Sequence, residues 1–121
     1  MGHNILIVDD SATMRKIIMR SLRQSGIEAA FSEAGDGVEG LAALEGGKFD
    51  LILSDVNMPN MNGLEFVKQV SEKHADAPPI VMITTESSDA VQSALENGAK
   101  GYLKKPFKPE NVQEVVTPLL G

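Results

Sequence analysis

Four short apolar runs each end in residue types suited to a phosphoryl group or a cation. Ile5 to Val8 runs into Asp9 and Asp10, Leu51 to Ser54 into Asp55, Ile80 to Ile83 into Thr84 and Thr85, and Gly101 to Leu103 into Lys104 and Lys105. Runs this short, apolar on both faces, are the pattern of parallel strands covered by helices on either side. Strands of one parallel sheet share a C-terminal edge, and open α/β folds bind their ligands there. Such a sheet would gather three carboxylates, a hydroxyl and an ammonium into one site.

The intervening segments carry helical spacing. Ser11 reads as an N-cap, followed by Met14, Ile17, Ile18 and Leu22 until Gly26 ends the element. Ile27 to Ala34, with Glu28 and Glu33, reads as an edge strand. Val38, Leu41, Ala42 and Leu44 then mark a short helix stopped by Gly46-Gly47. Leu64, Val67 and Val70 mark a third helix, and Val91, Ala94 and Leu95 a fourth, closed by Asn97-Gly98. Pro109 opens the last, with Val112, Val115, Val116 and Leu119 on one face, and Pro118 is expected to fray or kink its end. The expectation is α/β, a single doubly wound (βα)5 domain over residues 1–121 with a parallel five-stranded sheet and no further segment for an output domain.

The 121 residues suit one core, and 42% apolar with 23% charged residues is ordinary globular composition. A net charge of −6 repels a phosphate backbone, so nucleic acid is not an expected partner. No apolar run reaches the roughly 20 residues of a membrane span, and the start lacks a signal-peptide pattern, so no membrane association is expected. The absence of cysteine excludes thiolate chemistry and agrees with a cytoplasmic location.

Three carboxylates about 4 Å apart repel by roughly 4 kcal/mol per pair at an effective dielectric near 20, which calls for a counter-charge. An oxygen-only donor set suits Mg²⁺, with Mn²⁺ as a substitute, whereas Zn²⁺ would want Cys or His. The histidines, His3 and His74, read as surface residues. Asp10 would bind the metal directly, Asp9 largely through water, Asp55 from the central run, and the backbone carbonyl of Asn57 would complete the cage. Taken singly, an aspartate after a strand is as readily a helix cap or a turn former. Taken together, they fit a carboxylate that attacks phosphorus, with Asp55 as the phosphoacceptor, Lys105 pairing with one phosphoryl oxygen and the Thr84 hydroxyl bonding another.

These residues resemble the receiver domains of two-component response regulators, most closely the stand-alone chemotaxis type. The matching segments are Ile7-Val8-Asp9-Asp10-Ser11-Ala12-Thr13-Met14-Arg15, Asp55-Val56-Asn57-Met58-Pro59-Asn60-Met61-Asn62-Gly63, Ile83-Thr84-Thr85-Glu86 and Gly101-Tyr102-Leu103-Lys104-Lys105-Pro106-Phe107. The resemblance implies a flavodoxin-like fold with strand order 2-1-3-4-5. It also implies that Asp55 takes its phosphoryl group from a CheA-like histidine kinase, that Thr84 and Tyr102 form a coupled switch, and that Asn57 and Glu86 tune phosphate loss. The Lys105-Pro106 bond is typically cis in this family. Implied partners are a flagellar motor switch protein or another output protein, docking on the face of the fourth helix, fifth strand and fifth helix near Tyr102 and Lys104, and a phosphatase; the protein itself is expected to be a monomer and no enzyme beyond its own phosphotransfer. Two departures stand out. Thr85 is larger than the residue common beside the switch threonine, and Val56 replaces a bulkier neighbour.

Other patterns compete. Gly35-Asp36-Gly37-Val38-Glu39-Gly40 spells a dinucleotide fingerprint, but after an edge strand and in a chain too short for two nucleotide-binding halves. Asp55-Val56-Asn57 opens like an EF-hand, but Pro59 occupies a ligand position. A phosphatase of the haloacid dehalogenase type would need an acid where Asn57 stands. A phosphorelay intermediate passing phosphate to a histidine phosphotransfer protein stays open on sequence.

Overall fold

A computed structural model describes residues 3–56, 58, 60–73, 77–84, 88–104 and 108–120, with the backbone alone at 84 and 88–91. Strands and helices alternate along the chain: β1 (His3–Val8), α1 (Ala12–Gln24), β2 (Ala29–Ala34), α2 (Gly37–Gly46), β3 (Leu51–Asp55), α3 (Gly63–Lys73), β4 (Ile80–Thr84), α4 (Ser88–Glu96), β5 (Gly101–Lys104) and α5 (Pro109–Leu120). All four strand pairings are parallel, and the sheet order is β2-β1-β3-β4-β5. The expected α/β fold and strand order are those observed.

The apolar runs work because successive side chains leave a strand on opposite faces. Ile5, Ile7, Leu51, Leu53, Val81, Ile83 and Leu103 pack with Ile18 and Leu22 of α1 and Val112 and Val116 of α5. Leu6, Val8, Ile52 and Met82 point the other way, onto Phe66, Val67 and Val70 of α3 and Ala94 of α4. The two cores account for the absence of polar alternation in β1, β3 and β4. β2, with exposed Ala30, Ser32 and Glu33, is the edge strand that its carboxylates suggested.

Local expectations needed four adjustments. β2 begins at Ala29 instead of Ile27, because Ile27 belongs to the end of α1. Its amide bonds the Leu22 carbonyl while Gly26, at φ 85°, bonds that of Arg23, which is the paired closure that favours glycine in the left-handed region. The same closure ends α4 at Gly98, with φ 123°. Ile17 is 45% exposed and Val38 51% exposed; the inward stripe of α1 is Met14, Ile18 and Leu22, four residues apart. α5 continues past Pro118 to Leu120. Pro118 and Glu114 both lie on the exposed face, so the carbonyl that loses its amide partner faces solvent.

Among the described residues, no helix is long and apolar enough to cross a membrane.

Candidate functional site

The register sets which strand ends meet. Val8 lies opposite Ser54, so Asp9 and Asp55 each stand one step beyond that pair. Asp55 itself pairs with Ile83, and Thr84 with Lys104. The polar ends of β1, β3, β4 and β5 therefore share one edge of the sheet, as the parallel arrangement requires.

Ligand oxygens of Asp9, Asp10 and Asp55 all lie within 4.8 Å of one another. Burial differs across the three: Asp9 is 1% exposed, Asp55 partly covered and Asp10 open to solvent. Asp9 sits in a dense local network. Its amide bonds the Ala34 carbonyl at 3.0 Å, and its Oδ1 accepts the Ser11 amide at 2.9 Å. Ser11 caps α1 as expected, its hydroxyl accepting the Met14 amide at 3.2 Å. The Asp55 Oδ1 accepts the Val56 amide at 2.8 Å. Asp10 joins the cluster from the short turn between β1 and α1.

Tyr102 is 47% exposed on β5, opposite Met82, and Lys104 is exposed at the strand's end. Thr84 ends β4, as expected. Asn57, Thr85, Glu86, Lys105, Pro106 and His74 lie outside the described residues. His3 stands 4.0 Å from Asp50 at the opposite, N-terminal end of β1.

Four residues carried no role at the site in the sequence reading. Arg15 donates from Nη1 to the Asp9 carbonyl at 2.6 Å and from Nε to Glu33 at 2.9 Å, tying the acidic turn to β2. Its position one helical turn after the Ser11 cap was the available signal. Gly63 packs so closely that a Cβ would overlap the Asp55 carbonyl oxygen and come within 2.9 Å of Met82 Cε. Its amide also bonds the Val56 carbonyl at 2.7 Å. Asp36 and Asn60 bond one another across the loop after β3. The glycine-rich segment around Asp36 serves close packing. Gly37 faces Met61 and Gly40 faces Phe66, where a Cβ would come within 2.7 Å of each side chain.

A doubly wound parallel module with three aspartates at its strand ends defines an α/β protein whose site lies at the carboxyl edge of the sheet. The response regulator receiver domain model matches residues 5–117. A chemotaxis protein CheY homolog of Campylobacter jejuni is 42% identical over 120 residues, covering 97% of this chain and 92% of that protein. The structure of Vibrio cholerae CheY4 superposes with a TM-score of 0.84 at 39% identity, over 99% of this chain and all of that one. CheY in the CheX–CheY–BeF3–Mg²⁺ complex of Borrelia burgdorferi gives 0.87 at 26% identity, over 98% of this chain and 90% of that one. The chain belongs to the response regulator receiver family.

Within that family it is a receiver domain of the CheY chemotaxis-regulator type, a phosphorylation-activated signalling switch. The phosphatase and phosphorelay alternatives are not favoured. Receiver domains bind Mg²⁺ at an acidic pocket, and the donor set here fits: three carboxylates without sulfur or imidazole suit a hard cation.

Proposed function

We propose that Asp55 is the phosphoacceptor of this switch and that Asp9, Asp10, Asp55 and the Asn57 carbonyl hold the Mg²⁺ it needs. The observation that carries the reading is the convergence of three carboxylates at the strand ends, with Asp55 on the central strand. An oxygen of Asp55 bonds to phosphorus as the P–N bond of a phosphohistidine on a CheA-like kinase breaks. When bound, Mg²⁺ at these carboxylates would supply the positive charge that offsets the phosphoryl oxygens and the carboxylates. Lys105 pairs with one phosphoryl oxygen and the Thr84 hydroxyl bonds another, contacts strengthened by the charge they meet. The protein's part is mainly to position these groups. Asn57 and Glu86 tune how quickly water later removes the phosphate, and a threonine at position 85 slows that access.

Thr84 and Tyr102 form the readout. Their strands are adjacent, and the ring of Tyr102 is half exposed; its turning inward on phosphorylation is the readout. The output surface is the α4-β5-α5 face near Tyr102 and Lys104, presented in the cytoplasm to a motor switch protein or to a CheX-like partner of the kind in the Borrelia complex. The receiver unit spans residues 1–121.

Incubation with Mg²⁺ and acetyl phosphate, read by intact mass, tests the assignment. The wild type should gain one labile phosphoryl group only with Mg²⁺, and Asp55→Asn should gain none. An adduct that persists in Asp55→Asn would move the acceptor elsewhere. Addition of beryllofluoride should shift amide resonances around Tyr102 and residues 92 to 97; an unchanged spectrum there would remove that face as the output.

A further inference from the structure

The loop between β3 and α3 carries the proposed Asn57 ligand, and an element distant in sequence holds it. Asp36 is 5% exposed at the start of α2 and uses its two oxygens differently. Oδ1 caps the helix, accepting the Glu39 amide at 2.9 Å, while Oδ2 accepts the Asn60 side-chain amide at 2.7 Å, 24 residues away. Capping α2 needs only the first of these bonds. Asn60 has φ 63°, the one left-handed non-glycine among the described residues, a conformation that costs energy unless surrounding contacts enforce it. Next to it the Met61 carbonyl accepts the Gly37 amide at 3.2 Å, and Met61 packs against Gly37 too closely for any Cβ there. The Gly63 amide on the Val56 carbonyl closes the far end. The loop is thus tied across its base and pinned in its middle to the first turn of α2.

We infer that Asp36 and Asn60 are positioning residues for the Mg²⁺ site: their hydrogen bond holds the loop whose base, through the Gly63 amide on Val56 and the Val56 amide on Asp55 Oδ1, orients the Asp55 carboxylate toward the cation. The inference rests on the proposed role of Asp55 as a ligand. It also gives the glycine-rich segment a purpose unrelated to nucleotides, as the floor on which that loop lies. Groups that orient metal ligands from behind typically change metal affinity or activity by about 10–100-fold when lost.

The experiment compares wild type, Asn60→Gly, Asn60→Asp and the double variant Asp36→Asn/Asn60→Asp. Mg²⁺ affinity is read by calorimetric titration, phosphoryl uptake from acetyl phosphate by mass, and thermal unfolding without Mg²⁺ in parallel. Glycine keeps the left-handed backbone and loses the amide. Aspartate keeps the shape but sets carboxylate against carboxylate. The added negative charge of Asn60→Asp would by itself favour Mg²⁺, so weakened binding reports the lost hydrogen bond. Both single variants should bind Mg²⁺ about tenfold or more weakly and take up phosphate more slowly. The double variant restores donor, acceptor and net charge, and should recover Mg²⁺ affinity to within about threefold of wild type. Wild-type Mg²⁺ affinity in Asn60→Asp, or no recovery in a double variant that melts like the wild type, overturns the inference. A wild type that binds Mg²⁺ but takes up no phosphate overturns the proposed function instead, and the titrations still decide the role of the clasp.

Discussion

Asp36 shows how a residue's surroundings decide its chemistry. The hydrogen bond from Asn60, and after it the amide of Glu39, holds its carboxyl below the ordinary 3.8. A carboxylate with a lower pKa folded than unfolded stabilises the fold above the unfolded pKa, and that contribution is lost as pH falls through the folded value. Stability should therefore be insensitive to this group above about pH 5 and should decline below about pH 4. Asp36→Asn should flatten that acid limb in urea-unfolding midpoints measured from neutral pH downward. An unchanged acid limb would assign the decline to other carboxylates. Sequence offered Asp36 only as the middle of a Gly-x-Gly pattern. Its partner Asn60 lies in another loop, and no periodicity connects the two.

At the scale of elements, the helices seat against the sheet through close contacts at single residues. Phe66 of α3 is fully buried beneath Gly40 of α2, so that α2 and α3 share one ring as their spacer. Phe66→Ala should cost about 3–5 kcal/mol, the range for deleting a buried aromatic ring. Gly63→Ala should cost about 3 kcal/mol or more, because its Cβ would meet the Asp55 backbone and Met82 together and α3 would have to shift. Denaturant unfolding measures both, and Gly63→Ala should also weaken Mg²⁺ binding, since the loop it closes begins at Asp55. Element identity was legible where one rule dominated, as in the Ser11 cap and the Gly26 and Gly98 stops. It was less so at Ile27 and Val38, where helix closure and solvent competed for apolar residues that a pattern alone assigns to a strand or a core face.

For the whole molecule, the sheet supplies a rigid frame with a cluster of three carboxylates on its rim. Folding brings Asp9, Asp10 and Asp55 together at a repulsive cost, so a ligand that relieves it should stabilise the native state. Mg²⁺ at about 100 times its dissociation constant should add about 2.7 kcal/mol, seen as a rise in Tm. Asp10→Asn should diminish that rise and, by removing one repulsive charge, raise Tm slightly without metal. Equal Tm responses in the two proteins would exclude Asp10 as a ligand. As a switch the molecule faces a second demand, since moving a two-state equilibrium from 1:99 to 99:1 takes about 5.5 kcal/mol of differential binding. A doubly charged phosphoryl group with several charge-assisted contacts is of that order.

The α/β class, the parallel sheet and the gathering of acids at one edge follow from the order of residues alone, because strands apolar on both faces must be covered twice and parallel strands end together. That Arg15 braces the acidic turn, that Gly63 lies against the backbone of Asp55 and that Asp36 holds the loop through Asn60 emerged with the folded arrangement. Those contacts join residues far apart in the chain, and their existence depends on how closely two elements approach, a distance fixed by the packing of both cores.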